Sequence, residues 1–220
     1  AVLWSVWLLP LTAVASGSRI AAETSSGIGE AFRYIRAHPP VLSLLLLAVV
    51  PMVFAFPYTS LLPVFARDLL QVGPESFGAL LSMSAAGALT GSLWLSFGRP
   101  ILRTGRWLLG SIVMFGLCLL CFLFSFSFWQ ALAAMFAVGL FSQIYRTMSR
   151  IAIQMQVEDR LRGRLLSIAL MDRGFIPLGA LIFGAVAEWA GALVAGSAMA
   201  AGCIVVTLVV GFCQREIGKL

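Results

Sequence analysis

The sequence predicts an all-α polytopic membrane protein, with six transmembrane helices following the end of an earlier one. Three observations predict it. The chain is 60% hydrophobic and only 11% charged, where an ordinary soluble domain is roughly 25% charged. Apolar runs long enough to cross a bilayer, which takes about 20 helical residues, recur along the whole chain. Basic residues fall on every second connection between those runs, the pattern that orients membrane helices.

Taken in order, residues 1–15 are apolar but too few to span, and read as the end of a truncated transmembrane helix. They lack the basic flank of a signal peptide and offer no convincing small-residue cleavage site, so a signal peptide is not expected. Residues 16–40 read as a cytoplasmic linker. Within it "GIGEAFRYIRAH" (27–38) puts Ile28, Phe32 and Ile35 on one helical face and Glu30, Arg33 and Arg36 on the others, as in a helix lying on the membrane surface. A six-helix bundle then covers 41–213, with spans near 41–66, 76–97, 107–126, 128–156, 165–188 and 191–213. Residues 214–220 form a tail.

The linker carries Arg19, Arg33 and Arg36, and the connection after the second span carries Arg99, Arg103 and Arg106. The connection after the fourth has Arg160, Arg162 and Arg164, and the tail has Arg215 and Lys219. On the other side Arg67 is balanced by Asp68 and Glu75, the turn at Ser127 is uncharged, and the last turn has only Glu188. The basic segments, the C-terminus included, are therefore expected in the cytoplasm.

This placement also decides what the formal charge of +6 means. It is a topology signal in short loops, so no nucleic-acid partner is expected. Cys118, Cys121, Cys203 and Cys213 all lie in apolar runs, and the Cys118–Cys121 pair has no nearby His or Cys. They read as small apolar residues, with no disulfide framework or metal implied. There is no G-x-x-x-x-G-K-[ST] run for a nucleotide cofactor. The one histidine, His38, stands in a loop, with no constellation for hydrolysis, so an enzyme is not expected.

The chemistry-bearing residues are those that break the apolar pattern. "FSQIYRTMSRIAIQ" (141–154) places Gln143, Arg146, Arg150 and Gln154 at i, i+3, i+7, i+11, a polar stripe on an apolar helix. A charge at the bilayer centre costs about 2.5–3.5 kcal/mol on insertion scales, so it faces a cavity or a partner. Counted inward from Glu158 at 1.5 Å per residue, Arg150 lies about 12 Å deep and Arg146 about 18 Å deep. Asp172 on the next span reaches the same depth as Arg150, which allows an ion pair, while Arg173 points about 100° away from Asp172. Two kinds of role fit the stripe: a cavity face for an anionic or polar substrate, with Asp172 responding to protons, or a structural one, in which Arg150 and Asp172 pin two helices or Arg150 snorkels to the cytoplasmic interface. The first span contains Pro51, Pro57 and Pro63, which free backbone carbonyls and break the helix. Phe54 and Tyr58 between them are candidates to contact an aromatic or amphipathic substrate. Gly87 and Gly91 form a G-x-x-x-G with Ser84 and Ala88 alongside, which reads as helix packing. The third and sixth spans carry no central charge and suit the lipid-facing periphery. In "VEDRLRGR" (157–164), Glu158 and Asp159 beside Arg162 and Arg164 could form a gate of paired charges, or serve only topology.

Four stretches taken together resemble the C-terminal half of a major facilitator superfamily transporter, of the subgroup that includes the enterobactin exporter and macrolide efflux proteins. They are "GEAFRYIRAHPPVLSLLLL" (29–47), "FPYTSLLPVFARDLLQVGPESFGALLSMSAAGALTGS" (56–92), "IQMQVEDRLRGRLLS" (153–167) and "PLGALIFGAVAEWAG" (177–191). In "ILRTGRW", Arg103, Gly105 and Arg106 match the superfamily's basic gate loop, with Leu102 where Asp is usual. Arg146 and Arg150 stand where the subgroup often has small amides. The resemblance implies a twelve-helix proton antiporter in the bacterial inner membrane. It would export a drug-like or siderophore-like compound by rocking two six-helix halves around a midplane site. This chain would supply the second half and pack against an N-terminal six-helix half. An importer or lipid-moving member of the same superfamily, or a non-transporting scaffold, are the alternatives.

The topology has a direct test. With the native cysteines replaced by serine, a cysteine at Ser127 is expected to react with an impermeant maleimide on intact cells. One at Thr104 is expected to react only after permeabilisation; the reverse pattern would invert the orientation.

Overall fold

The computed structural model describes residues 39–68, 74–97, 104–156 and 174–213, and every element among them is an α-helix. They are α1 (Pro39–Phe54), α2 (Tyr58–Asp68), α3 (Pro74–Phe97), α4 (Thr104–Leu123), α5 (Phe128–Gln156), α6 (Phe175–Ala190) and α7 (Ala192–Cys213). The truncated helix 1–15, most of the linker 16–40 and the tail 214–220 lie outside the described residues. So do the 157–164 loop and the start of the fifth span. Five helical stretches are long and apolar enough to cross a membrane: Leu42–Arg67, Ser76–Phe97, Gly105–Leu123, Phe128–Met155 and Ala192–Cys213. The helix Phe175–Ala190, 16 residues, is apolar but shorter.

Local chemistry explains the ends. Pro39 and Pro74 open α1 and α3, where a residue without an N–H costs no helical hydrogen bond. The turn from α4 to α5 is four residues, Phe124–Ser127. The Ser127 carbonyl accepts from Ala131 N–H at 3.0 Å, and the Gln130 side chain accepts from Phe126 N–H at 3.2 Å. Ala131 is the fourth residue of α5, so its bond is the first regular one of the helix, and the Gln130 side chain folds back onto the turn. Gly191 alone separates α6 from α7 at φ 91°, and its N–H donates to the Ala187 carbonyl at 3.0 Å. A left-handed φ there favours glycine, the residue without a Cβ to clash.

The first span is two helices. Pro57 has no N–H, so Val53 loses its i+4 donor. Tyr58 N–H turns to the Ala55 carbonyl at 3.1 Å, and Phe56 N–H to Pro51 at 2.8 Å. The helix therefore stops at Phe54 and restarts at Tyr58, the interruption expected from the prolines. Gly179 of α6 lies over this break, and a Cβ there would run into the Val53 carbonyl and the Pro57 ring.

Helix α5 is the shared partner of α1, α3 and α4, and α7 packs on α1, α2, α4 and α6. Among the described glycines, the closest approach to a neighbouring backbone is between α3 and α5. A Cβ on Gly87 would collide with the Phe136 carbonyl, and one on Gly139 with the Ser84 carbonyl. At Gly91 it would stand 2.9 Å from the Leu140 carbonyl. Gly87 and Gly91 thus do the packing expected of them, and Gly139 is their counterpart on α5. With little hydrophobic force between helices in lipid, such backbone proximity and its dispersion contacts hold the pair. On the other side, α4 and α7 meet through Gly116 against Ile204 and Gly196 against Leu123. Both also leave large apolar side chains exposed, among them Leu117, Val205, Val209 and Phe212, in keeping with a peripheral position.

Gly139→Ala and Gly87→Ala are each expected to lower stability by about 1–3 kcal/mol or more through overpacking against backbone. Gly184→Ala, whose Cβ would meet nothing within 4 Å, is expected to be neutral. Thermal unfolding in detergent checks both, and equal midpoints for all three would refute the close crossing.

Candidate functional site

The site forms where the α1–α2 break faces the middle of α5. Arg146 starts from the C-terminal half of α5, about 15 Å from Gln156 at 1.5 Å per residue. Helical side chains lean toward their own N-terminus, which here is the opposite end of the bundle. The guanidinium therefore reaches toward the centre, and its Cζ sits 4.3 Å from the centroid of the Phe56 ring. An aromatic face attracts a cation through its quadrupole, by up to about 2 kcal/mol when the pair is desolvated. Arg146 is half-buried and makes further contacts besides this one.

Phe56 belongs to an aromatic cluster. Its ring centroid is 5.2 Å from that of Phe115 on α4 and 6.1 Å from that of Tyr145 on α5. Tyr58 meets Phe115 edge-on at 6.2 Å. All four rings are buried. Two hydroxyls pin the cluster to neighbouring helices. Tyr145 Oη donates to the Ala48 carbonyl at 2.7 Å, one turn before Pro51. Tyr58 Oη and Ser84 Oγ are 3.3 Å apart, joining α2 to α3. Ser84 is the residue whose carbonyl faces Gly139, so the α3–α5 crossing sets where Tyr58 finds its partner.

The polar stripe does not share one environment. Gln143 is half-buried, and its Cβ packs beside Gly91 of α3. Arg146 turns to Phe56. Arg150 and Gln154 are exposed. Phe54 and Tyr58, four residues apart, would share a face of an unbroken helix. The break separates them: Phe54 packs on Phe183 of α6 at 5.9 Å and under Gly202 of α7, away from Arg146. Arg106 is exposed at the start of α4. Asp172 and Arg173, and the gate residues Arg103, Glu158, Asp159, Arg162 and Arg164, lie outside the described residues. Phe56, Phe115, Tyr145 and Ser84 were not among the sequence candidates. The signal for Phe56 is its place directly before Pro57, where a break re-aims the preceding side chain. The signal for Ser84 is its spacing of three from Gly87 on the packing face. Phe115 carries no comparable mark.

Among the described residues no group of three or more His, Cys, Asp or Glu could hold a metal ion. What the cluster offers instead is one cation with an aromatic wall and neutral hydroxyls, all near the centre of the bundle. That combination suits an organic anion with apolar parts.

The sequence model of the transmembrane secretion effector family matches residues 1–217. The Staphyloferrin A transporter of Staphylococcus aureus is 32% identical over 188 residues, which is 84% of this chain and 46% of that protein. The chain thus spans about half the length of the curated relative it matches.

Tyr145→Phe removes the hydroxyl that ties α5 to the α1 backbone. It is expected to cost about 0.6–1.7 kcal/mol, the range for buried polar contacts between membrane helices. Denaturant titration of the two proteins in detergent measures it, and an unchanged midpoint would mean the bond adds nothing.

Proposed function

Since the chain belongs to the transmembrane secretion effector family of major facilitator superfamily transporters, we propose that it forms part of a secondary active exporter of a small anionic or amphipathic compound. The observation that carries this reading is the Arg146 guanidinium held over Phe56 at the centre of a membrane bundle. A cation at this depth, even half-buried, is expensive in a bilayer and is expected to have a use. In this reading an anionic group of the substrate replaces part of the environment of Arg146, and Phe56 and Tyr58 line its apolar side.

Export proceeds by alternating access. The chain supplies one six-helix half of a twelve-helix carrier, and the site is completed by the other half. The interrupted α1–α2 segment is the element best suited to move, since its backbone hydrogen bonds are already broken at Pro57. Asp172 is the candidate carboxylate for proton exchange. Arg103, Arg106, Glu158, Asp159, Arg162 and Arg164 are the candidates for an inner gate. The relative's name supports a siderophore-like cargo, and staphyloferrin A is the first compound to try, beside a panel of amphipathic drugs.

Arg146→Ala is expected to lower transport roughly 10–100-fold, the worth of one charge-assisted hydrogen bond, with normal membrane insertion. Arg146→Lys is expected to keep part of it. Accumulation assays in everted vesicles read both, and normal transport by Arg146→Ala would remove the site assignment. Substrate-dependent proton movement in proteoliposomes tests the antiport step. Transport that moves no protons would leave the site standing and discard the coupling.

A further inference from the structure

A second recess lies between α4 and α5, apart from the Arg146 cluster. It is a groove of about 390 Å³ lined by Arg106, Trp107, Gly110 and Met114 of α4 and by Phe141 and Ile144 of α5. Phe141 and Ile144 lie about 140–160° around α5 from Arg146, at 100° per residue. The groove therefore faces away from the proposed transport site.

We propose that this groove holds one anionic phospholipid, with its phosphate at Arg106 and one acyl chain along Gly110, Met114, Phe141 and Ile144. The groove is open at its floor: a Cβ built on Gly110 meets nothing within 4 Å among the described residues. Its walls are mostly apolar, from Trp107 to Met114 on α4 and at Phe141 and Ile144 on α5. Ser111, also in the lining, has its hydroxyl engaged with the Leu108 carbonyl of its own helix at 2.8 Å. Among the described residues, the one charge in the lining stands at one end. Arg106 is in the first turn of α4 and exposed, and its side chain leans toward the membrane surface at that end. The same end carries Trp107 and Trp94 of α3, half-exposed rings with centroids 5.5 Å apart. Tryptophans collect at the headgroup level of a bilayer, which places Arg106 there too. One cation at headgroup depth and an apolar trough running inward from it match an amphiphile with one anionic head. A lipid fits better than a dissolved substrate, because Trp107 and Met114 leave the trough exposed on the surface of membrane-spanning helices.

The test uses the full chain in nanodiscs of phosphatidylcholine with a minor share of phosphatidylglycerol. Lipid retained after mild detergent extraction is counted by native mass spectrometry. The unaltered chain is expected to retain phosphatidylglycerol in preference to phosphatidylcholine. Arg106→Gln is expected to reduce that preference about tenfold, the effect of losing one charge-assisted contact. Arg106→Lys is expected to preserve it. Gly110→Leu fills the open floor and is expected to lower retention of both lipids at unchanged helicity and thermal midpoint. The proposal is overturned if both lipids are retained equally by the unaltered chain, or if Arg106→Gln and Gly110→Leu leave retention unchanged. Transport measurements play no part in the readout, so failure here leaves the export reading intact.

Discussion

The contact on which the rest of the bundle depends is the backbone-to-backbone crossing of α3 and α5. Gly139 lies against the Ser84 carbonyl and Gly87 against the Phe136 carbonyl. In lipid, apolar side chains gain little by leaving one apolar medium for another, so close packing and polar contacts must hold helices together. Small residues on both partners permit that approach. Its consequence reaches beyond adhesion. Ser84 is held at the crossing, and Tyr58 of α2 finds its hydroxyl partner there. Arg146 stands two turns along α5 from Gly139. The crossing thus fixes the frame in which a cation is placed.

The second constraint is the interruption of α1–α2. A proline in a helix removes one donor and leaves a carbonyl behind it unsatisfied. Here the gap lies in the bundle interior, with Gly179 of α6 against the carbonyl of Val53. Non-helical backbone at membrane depth is tolerated where protein or a cavity surrounds it. The break re-aims Phe56 toward Arg146 and parts Phe54 from Tyr58. A rigid helix would have put Phe54 and Tyr58 on one face and supplied a different wall. The same weakness in hydrogen bonding that costs stability makes this segment suited to motion.

Much of the architecture was legible because the bilayer simplifies the code. Spans must be apolar and about 20 residues long, and charges gather in loops. The breaks at Pro57 and the role of Gly87 and Gly91 followed from backbone chemistry that does not depend on partners. The site was legible only in part. Arg146 was marked by its cost in an apolar run, but the stripe from Gln143 to Gln154 was not a single surface. Periodicity assigns residues to a face of one helix and is silent on how much of that face each neighbour covers. Here α3 covers the Gln143 end and leaves Arg150 and Gln154 exposed. Phe115 and Tyr145 were not readable as site residues, since an aromatic in an apolar helix looks the same whether it meets lipid or a cation's wall.

Sequence alone therefore determined the membrane class, the interrupted first span and the presence of a cation in an apolar helix. Each follows from a local cost: transfer of a charge into hydrocarbon, or a missing N–H. Tertiary structure decided which ring faces Arg146, which glycine on α5 answers Gly87, and where Tyr58 and Tyr145 place their hydroxyls. Those outcomes depend on the relative rotation and crossing of helices far apart in sequence, such as Tyr145 and Ala48. The rotation is set by many small packing contacts acting together, and no single stretch of residues encodes it.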